Sequence, residues 1–171
     1  MTNGQQRRLR VRVAVFACIT VVGLALDQGT KLWAQAALEG AGTVPVIPGL
    51  LSFTLVHNPG MSLGLFSSAT WVISLLALAA CVLLCVAAIR TISMAWTIVL
   101  SVAFSGALGN LIDRVAYADG FLNGKVVDFL NYGWSVGNVA DIFLVGAGVA
   151  VVVLLMMGVP FSRSDLEQER R

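Results

Sequence analysis

The sequence predicts an all-α membrane protein in which four transmembrane helices carry a small β-rich cap. Of its 171 residues, 58% are hydrophobic and only 12% are charged, against roughly 45–50% apolar residues in soluble domains. Apolar runs close to the ~20 residues that cross a bilayer recur four times along the chain. We expect one integral membrane domain over residues 1–171, and the net charge of +2 is too small to indicate nucleic-acid binding.

The four apolar runs define the predicted helices. These are expected at residues 13–37, 69–89, 95–113 and 139–159. Unbroken helices suit lipid because they satisfy their own backbone hydrogen bonds. The first run follows a basic stretch, as a signal peptide would, and residues 15–18 faintly resemble a cleavage motif that ends at Cys18. However, only about five apolar residues separate Arg12 from Cys18, fewer than the ~7–15 of the apolar h-region of a signal peptide. An uncleaved first helix is therefore predicted.

The basic residues predict the orientation of the helices. Eight of the eleven Lys and Arg residues fall on one side of the predicted membrane: Arg7, Arg8, Arg10, Arg12, Arg90, Arg163, Arg170 and Arg171. Cytoplasmic loops carry an excess of Lys and Arg, so this side, with both chain termini, is predicted to be cytoplasmic. Residues 38–68 and 114–138 then form the two outer connections.

Both outer connections contain strand and turn signals. Residues 43–49 combine prolines with a glycine, and residues 51–56 alternate Phe53 and Leu55 with polar or β-branched neighbours. Asp-Gly and Asn-Gly pairs accompany an apolar stretch at residues 126–130. These signals predict a small β-rich cap on the outer ends of the helices.

Four aspartates lie at or just beyond those outer helix ends: Asp27, Asp113, Asp128 and Asp141. An ionised carboxylate costs about 2.5–3.5 kcal/mol at the bilayer centre and less toward the interface, so each is expected to have a partner or a task. Asp27 and Lys31 stand in the favoured i,i+4 order for an ion pair. The alternative is that one of them positions a polar group of a substrate.

The third predicted helix has a face of small and polar residues. Four of them recur every four residues: Ser101, Ser105, Gly109 and Asp113. Small residues at this spacing let membrane helices approach closely, so packing and helix termination are the structural interpretation of this face. The neighbouring Asn110 and Arg114 are candidates to hold the outer loops by hydrogen bonds.

Asp128 and Asp141 are the candidate catalytic pair. Asp128 lies between Val127 and Phe129 in a predicted strand, where aspartate is disfavoured, and Asp141 opens the fourth helix. Two adjacent carboxylates cannot both ionise easily, so one supplies a general base and the other a general acid. The alternative for Asp141 is a helix N-terminal acid favoured by the macrodipole.

No metal or other cofactor is expected. His57 is the only histidine and stands in a turn sequence, which makes a poor metal site. Cys18, Cys81 and Cys85 fall inside apolar runs and are interpreted as small buried hydrophobic residues.

Five short motifs follow one another on the outer side of the predicted helices. They are Asp27-Gln28-Gly29-Thr30-Lys31, Asn58-Pro59-Gly60-Met61-Ser62, Gly109-Asn110-Leu111-Ile112-Asp113-Arg114, Val126-Val127-Asp128-Phe129 and Asn138-Val139-Ala140-Asp141. Each is weak alone, but five in this order are specific. Together they resemble the lipoprotein signal peptidase family, also called signal peptidase II.

The resemblance implies an aspartic endopeptidase of the bacterial inner membrane. It would cleave diacylglyceryl-modified prolipoproteins just before the lipidated cysteine, with the cap as the family's β-cradle and the site near the periplasmic face. Asp128 and Asp141 would be the catalytic pair, and the partners would be prolipoproteins and membrane lipids. Further residues implied to shape the site or bind substrate are Asp27, Lys31, Asn58, Gly109, Asn110, Asp113, Arg114 and Asn138.

The chain departs from the family pattern at two positions. Leu63 stands where an aromatic residue is common, with Phe66 as a candidate replacement, and Ile142 follows Asp141 where a serine is frequent. Neither departure changes the two candidate catalytic aspartates.

Three other functions fit parts of the sequence. A proton-coupled transporter would use Asp27, Asp113 and Asp141 as proton carriers, but transporters usually have internal repeats and midplane sites. A non-catalytic scaffold would use the small-residue face, but it leaves Asp128 in a strand unexplained. An inactive member of the family is the third alternative, and a proteolysis assay separates it from the peptidase.

Overall fold

The computed structural model describes residues 3–60, 69–162 and 164–165, in which four long helices and a four-stranded sheet form. The helices are α1 (Asn3–Leu38), α2 (Thr70–Arg90), α3 (Met94–Ala116) and α4 (Val139–Met156). The strands are β1 (Val44–Ile47), β2 (Leu51–Asn58), β3 (Val126–Asn131) and β4 (Val136–Gly137). Each helix is long and apolar enough to cross a membrane, so the predicted fold class is confirmed.

The sheet has the order β1-β2-β3-β4, and every neighbouring pair is antiparallel. The β2–β3 register pairs Val56 with Asp128 and Asn58 with Val126, which brings two of the outer motifs side by side. Strand β4 was not predicted, because two residues are too short to show an alternating pattern.

The sheet lies at one end of the helical bundle, where α1 and α3 end and α2 and α4 begin. Ala34 and Leu38 near the end of α1 pack in one apolar cluster with Phe129 and Leu130 of β3. Helix α3 packs against the other three helices and is the most buried of them. The other helices expose mainly apolar side chains, as expected where lipid is the solvent.

Three helix boundaries differ from the predicted ones by three residues or more. Helix α1 begins ten residues before position 13, because arginines are good helix formers and the helix continues past its apolar run. Helix α3 continues to Ala116, so Arg114 is helical rather than part of the outer loop. Helix α4 ends at Met156, two residues before Gly158, whose φ of +64° is left-handed.

Some predictions fall on residues outside the described ranges. These residues are Leu63, Phe66, Arg163, Arg170 and Arg171.

Candidate active site

Asp128 occupies the middle of the buried strand β3 and is only 2% exposed. Its two carboxylate oxygens each accept a hydrogen bond from an amide side chain. Asn58 donates to Oδ2 at 2.9 Å from the end of β2, and Asn138 donates to Oδ1 at 2.6 Å from the start of α4. The strand thus presents a carboxylate that both flanking elements hold in place.

The pKa of Asp128 is raised from 3.8 to about 6. Burial is the main cause, since removal from water disfavours the charged form. The hydrogen bond from Asn58 opposes the shift, and the negative charge of Asp141 adds to it. Asp128 therefore keeps its proton to a higher pH than an ordinary aspartate does.

Asp141 lies in the first turn of α4 and forms a capping box with Asn138. The Asp141 backbone N–H donates to Oδ1 of Asn138 at 3.1 Å, and the Asn138 backbone N–H donates to Oδ2 of Asp141 at 3.1 Å. Asn110 of α3 donates to the other carboxylate oxygen at 3.0 Å. The interpretation of Asp141 as a helix N-terminal acid is therefore confirmed, and the same contacts fix the direction of its carboxylate.

Two asparagines connect the aspartates. The amide nitrogen of Asn138 lies 2.6 Å from Asp128 Oδ1 and 3.0 Å from Asn110 Oδ1. Since Asn110 in turn donates to Asp141, a continuous chain of side-chain hydrogen bonds joins the two carboxylates. Asn138 is fully buried, so its geometry is fixed by these partners.

A buried ion cluster centred on Lys31 contacts this chain of hydrogen bonds at Asn110. Lys31 Nζ lies 2.9 Å from Asp27 Oδ2 and 2.9 Å from Asp113 Oδ2, and it donates to Asn110 Oδ1 at 3.1 Å. The predicted ion pair between Asp27 and Lys31 is confirmed. An ammonium has three donors, and these three contacts use them all, so the geometry favours a site-shaping role for Lys31 over substrate contact.

The two carboxylates of the cluster also fix the elements around the aspartate pair. Asp27 Oδ1 accepts from the backbone N–H of Ala140 in α4 at 2.9 Å, and Asp113 Oδ2 accepts from the backbone N–H of Val127 in β3 at 3.1 Å. One cation and two anions thus join α1, α3, α4 and β3. The peptide groups bound in this way are neighbours of Asp141 and Asp128.

Arg114 holds the turn that follows β2. Its guanidinium donates to the backbone oxygens of Gly60 at 3.0 Å and Asn110 at 3.2 Å. Within that turn the Gly60 backbone N–H donates to Asn58 Oδ1 at 2.9 Å, which leaves the Asn58 amide nitrogen directed at Asp128. The expectation that Arg114 holds an outer loop is confirmed.

Gly109 allows α1 and α3 to approach closely at the ion cluster. A Cβ atom built there would overlap Asp27 Oδ2, so any side chain would displace the carboxylate that binds Lys31. The small-residue face of α3 therefore packs as predicted, and at Gly109 it also makes room for a charged group.

All ten residues predicted to form the site meet in this network, together with the backbone groups of Gly60, Val127 and Ala140. Gln28 also joins the network, and Gly137 packs against it. Gln28 lies 3.0 Å from both Asp27 Oδ2 and Asp113 Oδ1, and 3.2 Å from Gly109 O. Gly137 lies against Asp141, whose Oδ2 is 2.8 Å from the place where a Cβ atom of residue 137 would be. Gln28 could have been predicted from the sequence to belong to the site, because a polar glutamine next to an intramembrane aspartate needs hydrogen-bond partners of its own.

Other predicted positions lie apart from the network. His57 is exposed on β2, and Ile142 is 51% exposed, so the side chain after Asp141 points away from the carboxylates. Cys81 is buried as expected, whereas Cys18 is exposed on the apolar surface of α1 and the interpretation of it as buried is wrong. A free cysteine behaves as a small hydrophobic residue, so a lipid-facing surface suits it as well as a protein core does.

Four helices long enough to span a membrane, a buried Asp128 in the small sheet and a half-buried Asp141 at the start of α4 match the class of membrane aspartic endopeptidases. The family model for signal peptidase (SPase) II matches residues 19–158. The chain belongs to this family, the lipoprotein signal peptidases, which confirms the resemblance of the five motifs.

Individual relatives agree with this assignment. The lipoprotein signal peptidase of Bifidobacterium longum subsp. infantis is 70% identical over 169 residues, covering 99% of this chain and 92% of that protein. The one from Mycobacterium avium is 40% identical, covering 96% of this chain and 91% of that protein. A solved bacterial membrane enzyme is 26% identical with a TM-score of 0.73, covering 85% of this chain and 89% of that chain.

Proposed function

We propose that Asp128 and Asp141 are the catalytic pair of this peptidase and hydrolyse the peptide bond before the lipidated cysteine of diacylglyceryl-modified prolipoproteins. The observation that carries the proposal is the chain of hydrogen bonds from Asp128 through Asn138 and Asn110 to Asp141. Such a link holds two carboxylates in one fixed arrangement, which general acid–base catalysis requires.

In this mechanism the pair shares one proton. The ionised carboxylate takes a proton from a water molecule as the water oxygen attacks the scissile carbonyl carbon, and the protonated carboxyl gives its proton to the carbonyl oxygen. A proton then passes to the leaving nitrogen as the C–N bond breaks. The products are the signal peptide carboxylate and the free amine of the lipidated cysteine. The raised pKa of Asp128 supports this sharing, since it brings the protonation of this carboxylate closer to neutral pH.

The remaining network residues position this pair. A cluster of four side chains contacts Asn110 through the ammonium of Lys31. Its members are Lys31, Asp27, Asp113 and Gln28. Their contacts are to one another, to the side chain of Asn110 and to backbone groups, so we assign them positioning roles rather than contact with the reacting atoms.

The proposed topology places the site at the periplasmic face of the inner membrane, with both termini in the cytoplasm. The arginines at the start of α1 and at the end of α2 lie at the bundle end opposite the sheet, which supports this orientation. A lipidated peptide cannot leave the bilayer, so a site at the helix ends meets its scissile bond at the membrane surface. The exposed apolar faces of the helices are the proposed contact for acyl chains and membrane lipids.

The decisive experiment is cleavage of a diacylglyceryl-modified prolipoprotein by the purified protein, followed as a shift on a gel. Wild type, Asp128→Asn and Asp141→Asn are compared with Asp119→Asn, a matched control in an exposed loop. We expect cleavage by wild type and the control, and none by the two site variants. Cleavage that survives in either folded site variant would remove that aspartate from the pair. No cleavage by folded wild type, beside an active relative, would identify an inactive family member.

A further inference from the structure

An open cavity lies at the opposite end of the bundle from the aspartates. The start of α1 and the turn between α2 and α3 border this cavity, which has a volume of about 490 Å³. Its lining consists of Gly4, Arg7, Arg8, Val11, Arg12, Ile92 and Met94. The lining thus contains three arginines and no acidic residue, so the cavity is suited to an anion.

The arginines occupy one wall of this cavity. Arg8 and Arg12 are four residues apart on α1 and share a helix face. Gly4 is one turn earlier on that face, and nothing lies within 4 Å of the place where its Cβ would be. This wall therefore presents two guanidinium groups beside open space.

Arg12 has hydrogen-bond donors that nothing in the described part of the chain satisfies. Its Nε and Nη1 are buried from solvent and have no acceptor there. Guanidinium nitrogens in proteins are always charged donors, and buried donors of this kind are normally paired. The acidic side chain described nearest the C-terminus, Asp165, is bound instead to the backbone N–H groups of Phe161 and Ser162, at 2.9 and 2.8 Å. Among the described residues the charge of Arg12 thus has no partner, and an anion bound in the cavity would supply one.

The depth of Arg12 in the membrane identifies the kind of anion. Arg12 precedes Lys31 by 19 residues in the same helix, which corresponds to about 28 Å at ~1.5 Å per residue. The hydrocarbon core is about 30 Å thick. Because Lys31 lies under the aspartates at one membrane face, Arg12 lies at the hydrocarbon boundary of the other leaflet. Lipid phosphates occupy that level, and arginine is the side chain that binds phosphate oxygens in a bidentate manner.

We propose that this cavity binds the phosphate-bearing headgroup of an anionic phospholipid from the leaflet opposite the active site. Arg8 and Arg12 bind the phosphate, and the exposed side chains of Ile92 and Met94 contact the upper part of the acyl chains. The wall opposite the arginines is fixed, because Phe161 O accepts hydrogen bonds from Ile92 N and Thr91 Oγ1, each at 2.9 Å. The site is independent of the peptidase chemistry.

Native mass spectrometry of the purified full chain in detergent tests this proposal. The probes are dioleoylphosphatidylglycerol and dioleoylphosphatidylcholine, which have the same acyl chains and differ in headgroup charge. Wild type should retain the anionic lipid at least about tenfold more tightly, the effect of one charge-assisted hydrogen bond. Arg8→Gln/Arg12→Gln should lose this preference. Arg10→Gln/Arg90→Gln should keep it, because it removes the same charge outside the cavity.

Several results would overturn the proposal. Equal affinity for the two lipids would mean that acyl chains alone bind. Equal losses in the two double variants would mean that the preference comes from the total charge of this face. Displacement of the lipid by millimolar inorganic phosphate would identify a free-anion site instead. An unchanged thermal unfolding midpoint and prolipoprotein cleavage in each variant would show that the protein is folded, so a lost preference reports the cavity itself.

Discussion

Replacing Lys31 by methionine tests whether the buried ion cluster stabilises the fold beneath the aspartates. The ammonium is 2% exposed, and its two partners, Asp27 and Asp113, are 0% and 1% exposed. Methionine has a similar volume but no charge, so Lys31→Met leaves two buried carboxylates without a cation. Removing one partner of a buried ion pair costs about 3–5 kcal/mol, because the remaining charge is uncompensated.

That cost is large compared with the total stability of a domain, about 5–15 kcal/mol. For a chain of this size, 1 kcal/mol corresponds to about 2–4 °C in Tm, so the expected decrease is about 6–20 °C. Thermal unfolding in detergent, followed by circular dichroism, measures it. The matched control is Lys125→Met, which removes the same charge from an exposed loop position and should change stability by no more than about 0.5 kcal/mol.

Neutralising a partner should restore part of the loss. Asp27→Asn in the Lys31→Met background removes one of the two unpaired charges, so its Tm should exceed that of Lys31→Met. The reasoning would be refuted if Lys31→Met unfolded within about 2 °C of wild type. At ~2–4 °C per kcal/mol such a change corresponds to at most about 1 kcal/mol, well below the cost of about 3–5 kcal/mol expected for an unpaired buried charge. It would also be refuted if the added Asp27→Asn lowered the Tm further.

Three further predictions follow from the same network. First, the raised pKa of Asp128 means that the folded state binds an extra proton between pH 4 and 6, so this group's contribution to stability falls by about 3 kcal/mol as the pH rises through that window. The Tm of Asp128→Asn should lack this decrease, and parallel pH curves for the two proteins would contradict the prediction. Second, Asn138→Ser keeps a good helix N-cap but loses the bond to Asp128, so cleavage should fall about 10- to 100-fold while Tm changes by only a few degrees. Equal activity would show that the bridging amide is dispensable. Third, Gly109→Ala should lower stability by about 1–3 kcal/mol because the new methyl group displaces Asp27. The control Gly29→Ala, in open space on α1, should be neutral or slightly stabilising, and similar denaturation curves for both would refute the packing argument.

The fold could be predicted largely from hydrophobicity. Four apolar runs in a chain of this length leave little choice but four spanning helices, and the alternation around Phe53 and Leu55 was enough to indicate strand β2. Hydrophobicity could not predict how far a helix extends beyond its apolar, membrane-spanning run. Helix α1 continues through its arginines to Asn3, where no apolar pattern marks the boundary.

The candidate site was predictable as a set of residues but not as a network. The cost of burying charge singles out Asp27, Asp113, Asp128 and Asp141 from sequence alone. Which partner each one binds depends on the crossing of α1 with α3 and on the sheet register, and both are tertiary. Sequence spacing pairs Lys31 with Asp27, whereas the second partner, Asp113, comes from another helix.

The sequence posed two alternatives for Asp141, a helix N-terminal acid and a catalytic carboxylate, and the structure makes them compatible. The capping box uses Oδ2 of Asp141 for the Asn138 backbone N–H, while Asn110 binds Oδ1, so the carboxylate cannot rotate without losing a bond that the helix needs. Asn138 caps α4 through its oxygen and binds Asp128 through its nitrogen. One asparagine therefore sets both the start of the helix and the position of the second aspartate. A capping interaction holds the proposed catalytic pair in register, because the elements carrying the two carboxylates meet at that residue.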